Sequence, residues 1–542
     1  MSVTVSYPGV YIEELPSASH SVTPAPTSVT VFVGFTNPFW KLPDGSDPPF
    51  GRAYELFSFA DYESAFGGFF SSPYLPDYVG QAVFQFFENG GSHAYVVSLK
   101  AADYFAGDPP ASTGTGVDAP TAALSDGTNG FELTALQPVG VASQTPAGLK
   151  MTATVSNLTT TQGTTHDTAD ITITYGSTVE TYRRVVITDV VARMTGSRLV
   201  SVADLTSTAL TTYDSLAATS VPLGYTTDPA QGDLAIDLTK FGDAFAANAP
   251  LDKVTIFNLM LLPGITDPAV LAEALAYCEE KRAFFIMDPP AIAVADEAAK
   301  HITGAPTGAA AIADVLSGSD PPPLSQNGAL YFPYLRTTDP VTLAPSTSPP
   351  SGFVAGIFAR EDVNRGVWKS PAGLETTILG TTGVVPWGVT TDGQNGVLYN
   401  APNFVNVVRS FPGMGTVVFG ARTLVSANPA FEQWRYVAVR RMALFIEQSL
   451  YSSLKWAIFE PNDTPLWNAL SAEVTAFMLG LYRQGAFQGS ADKAFKVQCD
   501  STTTSQDDID RGVVNIVVSF APLKPAEFVV VKIAQLAGQS ST

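Results

Sequence analysis

Apolar runs alternate with a capped helical pattern between residues 250 and 335, and this alternation constrains the fold most. Lys253–Leu262 and Ala283–Met287 are apolar runs of strand length, and Asp267-Pro268 between them is a typical helix start. A further helix and a strand at Ala329–Leu335 are expected to follow. Strands joined by helices form parallel sheets, so we predict a parallel α/β layer. The turn after its first strand is not a glycine-rich phosphate loop.

The region before residue 100 is also expected to mix strands and helices. Thr27–Phe35 has the pattern of a buried strand, and His93–Leu99 has the same pattern. Asp77–Asn89 is typical of a helix that begins at Asp77, with its apolar residues on one face. We therefore predict that residues 27–100 form one part of a core domain.

The composition changes abruptly after residue 100. From Ala101 to Tyr182 the only basic residue is Lys150, and small or polar residues dominate. The alternating runs Met151–Val155 and Asp170–Tyr175 are typical of antiparallel strands. We predict a mainly β insertion with its own fold over about residues 101–245.

Two helices are expected in the C-terminal third. The first spans about Asn428–Phe459 and the second about Thr464–Tyr482. Helical spacing places one set of side chains on the polar face of the first helix, namely Arg441, Gln448, Ser452 and Lys455.

Both ends of the chain have extended, apolar patterns. Val3, Val5, Tyr7, Val10 and Ile12 alternate with other residues around a Pro-Gly turn. At the other end, Gly512–Phe520 and Glu527–Ile533 predict two strands, separated by prolines. Such terminal strands either pair within their own domain or are donated to the sheet of a neighbouring subunit. The sequence pattern leaves both alternatives open.

Length and charge narrow the class of protein. A chain of 542 residues favours two to four domains. Charged residues make up 15%, against roughly 25% in an average domain, which fits either subunit contacts or an uncharged polar surface. The net charge of −21 argues against nucleic acid and anionic membranes as partners. Residues 1–10 lack a signal-peptide pattern, so we expect synthesis in a cytoplasm.

The residues that usually perform catalysis are scattered. The four histidines lack metal-binding spacing, and Cys278 and Cys499 are expected to be buried free thiols. Ser452 and Lys455 match the S-x-x-K spacing of serine acyl enzymes, but the partner motifs are missing. Asp507–Asp510 lacks the glycine and the distal glutamate of a calcium loop, and we expect it to cap the next strand. We predict no catalytic, cofactor or metal site.

Six sequence blocks resemble the contractile tail sheath proteins of phages, R-type tailocins and related injection systems. In order, they are Tyr7–Glu14, Arg365–Gly373 (with Ser370 where alanine is common), Phe419–Leu424, Phe445–Leu450 with Phe459–Asn462, Asp508–Gly512 and Pro525–Phe528. The resemblance covers about residues 1–35 and 350–542, with a looser likeness at 250–345. The insertion matches nothing that we can name.

The resemblance implies two sets of functional residues. The first would form strand arms shared between subunits: Val3, Val5, Tyr7, Val10, Tyr11, Ile12, Phe528, Val529, Val530, Val531 and Ile533. The second is the core of the family motifs: Val367, Trp368, Lys369, Pro371, Gly373, Arg422, Glu447, Gln448, Glu460, Asp508, Asp510 and Gly512.

The resemblance also implies an architecture. We expect a multidomain α/β chain with an extended arm at 1–26, a tube-facing sheath core built from both chain ends (27–100 and 346–542), the outer β insertion and an α/β domain at 246–345. A non-enzymatic subunit of this kind would polymerise in stacked six-fold rings around an inner tube. Contraction from a metastable extended state would then drive the tube through a target envelope.

The partners implied are further copies of the chain, the tube protein, and baseplate and tail-terminator proteins, within a tail or injection particle. The resemblance leaves open whether a paralogous sheath protein shares the tail. No cofactor is implied. The alternative is a non-contractile shell or surface-layer subunit.

Overall fold

The computed structural model of the chain describes residues 21–37, 40, 42–43, 46, 48–70, 76–99, 120–137, 139, 150–161, 163–206, 208, 210–224, 238–290, 324–385, 391–399, 404–426 and 428–532. The predicted strand residues Val3 to Ile12, Ile533, and the helix expected before residue 324 lie outside these ranges. The described chain divides into two compact units. The larger contains residues 26–441 and 525–532, and the smaller contains residues 21–25 and 442–524.

The larger unit begins with a β-strand flanked by strands on both sides. The first elements are β1 (Thr30–Phe35), β2 (Ala53–Leu56), α1 (Phe59–Phe66), α2 (Tyr78–Glu88) and β3 (Ala94–Leu99). Every residue of β1 is buried. The Asp77 carboxylate accepts a hydrogen bond from the Gly80 N–H (3.0 Å) at the start of α2, which confirms the predicted helix start.

The insertion folds into two antiparallel sheets. Its elements are β4 (Thr121–Ser125), β5 (Gly130–Ala135), β6 (Met151–Thr159), β7 (Thr168–Tyr175), β8 (Thr178–Val186), α3 (Val190–Met194), β9 (Val200–Asp204) and β10 (Ser220–Leu223). The sheet orders are β10-β6-β7-β8 and β4-β5-β9. Alternate residues of β7 are buried, so the predicted antiparallel strands are confirmed. Val341, outside the insertion in sequence, also belongs to this core.

The parallel layer follows the insertion. Its elements are α4 (Thr239–Phe245), β11 (Leu259–Leu261), α5 (Pro268–Lys281), β12 (Phe284–Met287) and β13 (Gly328–Phe332). Asp267 caps α5 as predicted, accepting from the Ala269 and Val270 N–H groups (both 3.0 Å). The strand predicted over Lys253–Leu262 is wrong in its first half. Pro250–Lys253 is a 3-10 turn, and β11 forms only where β1 and β12 pair with it.

The parallel layer and the N-terminal elements share one sheet. The next elements are β14 (Leu335–Thr338), β15 (Pro345–Ser348), α6 (Ser351–Arg365), β16 (Gly383–Val384), α7 (Asp392–Tyr399), β17 (Asn406–Phe411) and β18 (Gly415–Val418). The eight-stranded sheet has the order β18-β17-β13-β12-β11-β1-β3-β2, with antiparallel strands at both edges. A Cβ on Gly352 would lie 2.6 Å from the Ala82 backbone, so glycine allows α6 to approach α2. The fold is therefore multidomain α/β.

The C-terminal third is more broken than predicted. Its elements are α8 (Val437–Ser453), α9 (Thr464–Arg483), α10 (Ala491–Ala494), β19 (Phe495–Gln498), α11 (Gln506–Asp510) and β20 (Val517–Phe520). The second predicted helix is confirmed as α9. The long helix predicted before it is α8 flanked by 3-10 helices at Pro429–Trp434 and Leu454–Ala457.

The acidic run at residues 507–510 also differs from its prediction. It lies in α11, where the Ser505 side chain and Asp508 form a capping box, and does not cap a strand. The strand predicted from Gly512 begins only at Val517, where it pairs with β19.

Candidate assembly surface

The N-terminal root is defined here as residues 21–29, of which 21–25 belong to the smaller unit and 26–29 to the larger unit. In the smaller unit, the Thr23 N–H donates to Ser453 Oγ (3.0 Å) and the Ala25 N–H donates to Ser449 Oγ (2.9 Å). The two serines are four residues apart and so lie on one face of α8. The S-x-x-K motif therefore overlaps a structural contact, because Ser453 within it binds the root.

The larger unit binds the next part of the root through a buried arginine. Arg441 on α8 donates two hydrogen bonds to the Asp362 carboxylate (2.9 and 2.6 Å) and one to the Thr27 carbonyl (2.9 Å). Its guanidinium also lies over the Phe358 ring at 4.8 Å. Arg441 belongs to the predicted polar face of the helix, yet only 3% of its side chain is exposed. These hydrogen bonds compensate for the burial of the Arg441 charge. Helical spacing alone could not show that this charge is buried.

The C-terminal segment, residues 525–532, is anchored at Glu527. The Glu527 carboxylate accepts two hydrogen bonds from Arg422, from Nε (3.0 Å) and Nη2 (2.6 Å), and others from the hydroxyls of Tyr399 and Tyr436. Only 8% of the Arg422 side chain and 10% of the Glu527 side chain are exposed. We call these four residues the C-terminal anchor. Burial raises the pKa of the Tyr399 hydroxyl, and its hydrogen bond to Glu527 adds to this rise.

Four apolar residues directly after the anchor are exposed. The exposed fractions of Phe528, Val529, Val530 and Val531 are 74%, 84%, 78% and 75%. The strand predicted over Glu527–Ile533 is not formed by the described residues of that range, which pair with no other strand. The segment thus contains residues that favour β-strands, but it has no partner strand among the described residues.

In the described part of the smaller unit, β19 and β20 form a two-stranded sheet. β19 and β20 pair antiparallel from Phe495↔Phe520 to Gln498↔Val517. Their residues are exposed or partly buried, and Val517 is 47% exposed. A two-stranded sheet is marginal by itself, and its open edges can accept further strands.

The residues of the Arg365–Gly373 block form a structural turn after α6. Val367 is buried, and Lys369 Nζ lies 3.8 Å from the buried Glu361 carboxylate. Gly373 has φ 114°, a conformation that favours glycine, and its N–H donates to the Val418 carbonyl (2.9 Å). The neighbouring Trp368 and Pro371 lie in the same turn. This block therefore stabilises the edge of the large sheet.

The other motif residues are spread over the smaller unit. Glu447 and Gln448 lie on α8, and Gln448 is buried. Asp508 caps α11, Asp510 accepts from the Gln506 amide (2.9 Å), and Gly512 follows with φ 72°. Of the motif residues, the structure brings Arg422 into contact with the C-terminal segment.

Phe459 begins the Phe459–Asn462 block, but the sequence did not predict its exposure. It is fully exposed and has φ 73°, an uncommon conformation for a bulky side chain. It directly precedes Glu460, and Ile458 before it is 62% exposed. Conformation and exposure of this kind are set by the folded chain, and no sequence signal could have indicated them.

No enzymatic constellation is apparent in the described residues. Among them, no group of three or more His, Cys, Asp or Glu side chains could hold a metal ion. Cys278 and Cys499 are buried free thiols, as predicted, and burial raises the pKa of both. The described helices include none that is both long and apolar enough to cross a membrane.

Comparison with known proteins finds similarity to tail sheath proteins. Residues 430–535 match the phage tail sheath C-terminal domain. A protein of Pseudomonas aeruginosa (strain UCBPP-PA14) named as a prophage major tail sheath protein is 26% identical over 53% of this chain and 68% of its own length. The tail sheath protein of Salmonella phage ViI is 28% identical over 33% of this chain, but only 26% of its own length is covered.

Two solved sheath structures share the fold over nearly the whole chain. The sheath of the extracellular contractile injection system PVC, in its contracted state, matches with a TM-score of 0.54 and 21% identity, covering 98% of this chain and 99% of that one. The contracted helical sheath of the anti-feeding prophage matches with a TM-score of 0.55 and 22% identity, covering 98% and 100%. The chain thus carries a phage tail sheath C-terminal domain at residues 430–535, is similar to tail sheath proteins in sequence, and shares the fold of contractile sheath subunits.

Proposed function

We propose that this chain is the structural subunit of a contractile sheath that assembles as helically stacked six-fold rings around an inner tube. Contraction from a metastable extended state drives the tube through a target envelope. The observation that carries this proposal is the C-terminal segment, because it exposes four consecutive apolar residues immediately after a buried anchor. A monomer gains nothing from such an arrangement, whereas a polymer can bury the segment in the next copy.

Strand exchange explains how the subunits remain joined while they move. The C-terminal segment of one copy, and the N-terminal arm residues Val3 to Ile12 of another, add to the two-stranded sheet β19–β20 of a third. Backbone hydrogen bonds of an exchanged strand move with it during a rigid-body rearrangement. Each apolar side chain that becomes buried stabilises the contact between subunits by roughly 1.5–3 kcal/mol. Heterologous contacts of this kind form open helical assemblies.

The remaining assignments follow from the sheath proposal. The tube protein, baseplate proteins and tail-terminator protein are the other partners, and the particle assembles in the cytoplasm of the producing cell. The chain has a structural rather than a catalytic role. The core domain faces the tube, and the insertion lies outside it.

The placement of the insertion can be tested by excision. Replacing residues 120–224, the strand-containing part of the insertion predicted over 101–245, with a short Gly/Ser linker should preserve polymerisation. Val341 packs in the insertion core, so the variant should also carry Val341→Ser to avoid a new exposed apolar residue. Loss of all folding in this variant would show that the insertion shares its core with the rest of the chain.

Electron microscopy of the purified chain, alone and with its tube protein, tests the sheath proposal. Striated tubes of constant diameter are expected. Flat sheets would instead indicate the surface-layer alternative, and monodisperse small oligomers would contradict both.

A further inference from the structure

Two of the family sequence blocks, more than a hundred residues apart, meet in the C-terminal anchor. Arg422 lies in the Phe419–Leu424 block and Glu527 lies in the Pro525–Phe528 block. The two N–H groups that Arg422 directs at the carboxylate form a fork that binds both oxygens, at 3.0 and 2.6 Å. A two-point contact of this kind fixes the direction of the carboxylate as well as its position.

The rest of the guanidinium is held by other residues of the larger unit. Arg422 Nη1 donates to the Tyr399 carbonyl (2.9 Å), and the guanidinium lies 4.2 Å from the centre of the Tyr399 ring. The Arg422 backbone is fixed by Asn406, which accepts from its N–H (2.7 Å) and donates to its carbonyl (2.8 Å). The arginine is therefore oriented by contacts that do not involve the C-terminal segment.

Glu527 is followed directly by the exposed apolar residues. Within the described segment 525–532, Glu527 is the residue that makes hydrogen bonds and an ion pair with other described residues, and its carboxylate accepts each of these hydrogen bonds. The direction in which Phe528–Val531 leaves the subunit therefore depends on this one side chain. A free segment would sample many directions and would lose conformational entropy when it joins a neighbouring copy.

We propose that Glu527 is a positioning residue, whose carboxylate, bound by Arg422, sets the point and direction from which Phe528–Val531 extends to a neighbouring copy of this chain. The inference rests on the proposed sheath function and deepens it. Glu527 acts through the segment that follows it and need not contact the neighbouring copy itself.

The test compares sheath assembly by Glu527→Gln and wild type. Glutamine keeps the size of the side chain but presents an amide N–H₂ to one donor of Arg422, so the two-point contact is lost. We expect the critical concentration for sheath formation to rise about tenfold or more. Denaturant unfolding of the unassembled subunit measures any loss of stability separately, and assembly is compared under conditions in which both proteins are fully folded.

Glu432→Gln is the matched control. Its carboxylate pairs with Arg435 at 3.6 Å, but 69% of the Glu432 side chain is exposed. The control should assemble like wild type. If wild type, the control and Glu527→Gln all assemble equally well, the positioning role is overturned while the sheath function stands. If wild type forms no sheath, the proposed function fails and this inference fails with it.

Discussion

The two ends of the chain leave the larger unit through different arrangements, although a buried arginine binds each. At the N-terminal root, Arg441 binds both Asp362 and the Thr27 carbonyl, and Asn258 bonds the Pro26 carbonyl and the Val29 N–H (2.8 and 2.9 Å). The C-terminal segment is bound through Glu527, beyond which its apolar residues are exposed.

This difference implies that the N-terminal root contributes to folding, whereas the C-terminal segment is accessible to other subunits. Each part of the N-terminal root is hydrogen-bonded within its own unit, so its disruption should lower subunit stability. A single anchor leaves the C-terminal segment accessible, so its disruption should impair assembly while the subunit still folds. Variants at the two ends should therefore show different defects.

Val530→Pro should abolish sheath formation. Proline removes a backbone donor and fixes φ at a position that must form a strand in the assembly. We expect soluble subunits with wild-type unfolding and no sheaths in negative-stain images. Gln539→Pro, in the polar end of the sequence, is the control and should have no effect. Normal contractile sheaths from Val530→Pro would show that this segment is not a structural joint.

Arg441→Met should lower the free energy of unfolding by about 3–5 kcal/mol, because it leaves the Asp362 carboxylate buried without its partner. Asp362 is only 2% exposed, so it cannot regain water without local unfolding. Denaturant unfolding of the soluble subunit measures the change, and Arg435→Met, at a half-exposed arginine, is the control. A loss below about 1 kcal/mol, typical of a surface pair, would mean that the N-terminal root is not part of the folded core.

Asp288 differs from Asp362 and Glu527, because its buried carboxyl group has no arginine partner. Asp288 accepts hydrogen bonds from the Ser351 hydroxyl (2.7 Å) and from the Ser351 and Gly264 N–H groups (2.8 and 3.0 Å), and burial raises its pKa to about 6. The folded state therefore favours the protonated form of the Asp288 carboxyl group more than the unfolded state does.

The stability that Asp288 contributes is complete below pH ~4 and is lost as the pH rises through about 6. The total loss is on the order of 3 kcal/mol. Denaturant unfolding at pH 4 and pH 7 should show this contribution as the difference between the pH profiles of wild type and Asp288→Asn. An equal slope in wild type and variant would contradict the assignment.

Ser449→Ala and Ser453→Ala should each lower the free energy of unfolding by about 1 kcal/mol or less, because each removes one hydrogen-bond acceptor for the N-terminal root. Ser452→Ala is the control, since Ser452 is exposed on the same helix. Limited proteolysis of the root should be faster in the double variant than in the control. Equal rates would indicate that the two serines do not hold the root.

Local signals predicted much of this fold from the sequence. The helix starts at Asp77 and Asp267 were correct because each aspartate caps the backbone beside it. The predicted strand over 253–262 was too long because its length is set by the pairing of β11 with its neighbours. The strand expected at 527–533 does not form in the described residues, since apolar β-forming residues require a partner strand.

The contacts of the candidate site depend on residues far apart in sequence. The resemblance gave Arg422 as a motif residue, but its partner Glu527 could be found only from the folded chain. Helical spacing placed Arg441 on a polar face, because spacing shows which residues share a side but not what covers that side. Its partner Asp362 lies on another helix, α6.

The most direct test of the account is cysteine cross-linking between two mixed populations of subunits. One population carries Val530→Cys, and the other carries Lys496→Cys on β19 or Ser519→Cys on β20, so that both edges of the sheet are sampled. Both native cysteines are buried and should not react. We predict a disulfide-linked heterodimer when the populations assemble together under oxidising conditions. Sheaths that form normally without a cross-link to either strand would contradict strand exchange through the C-terminal segment.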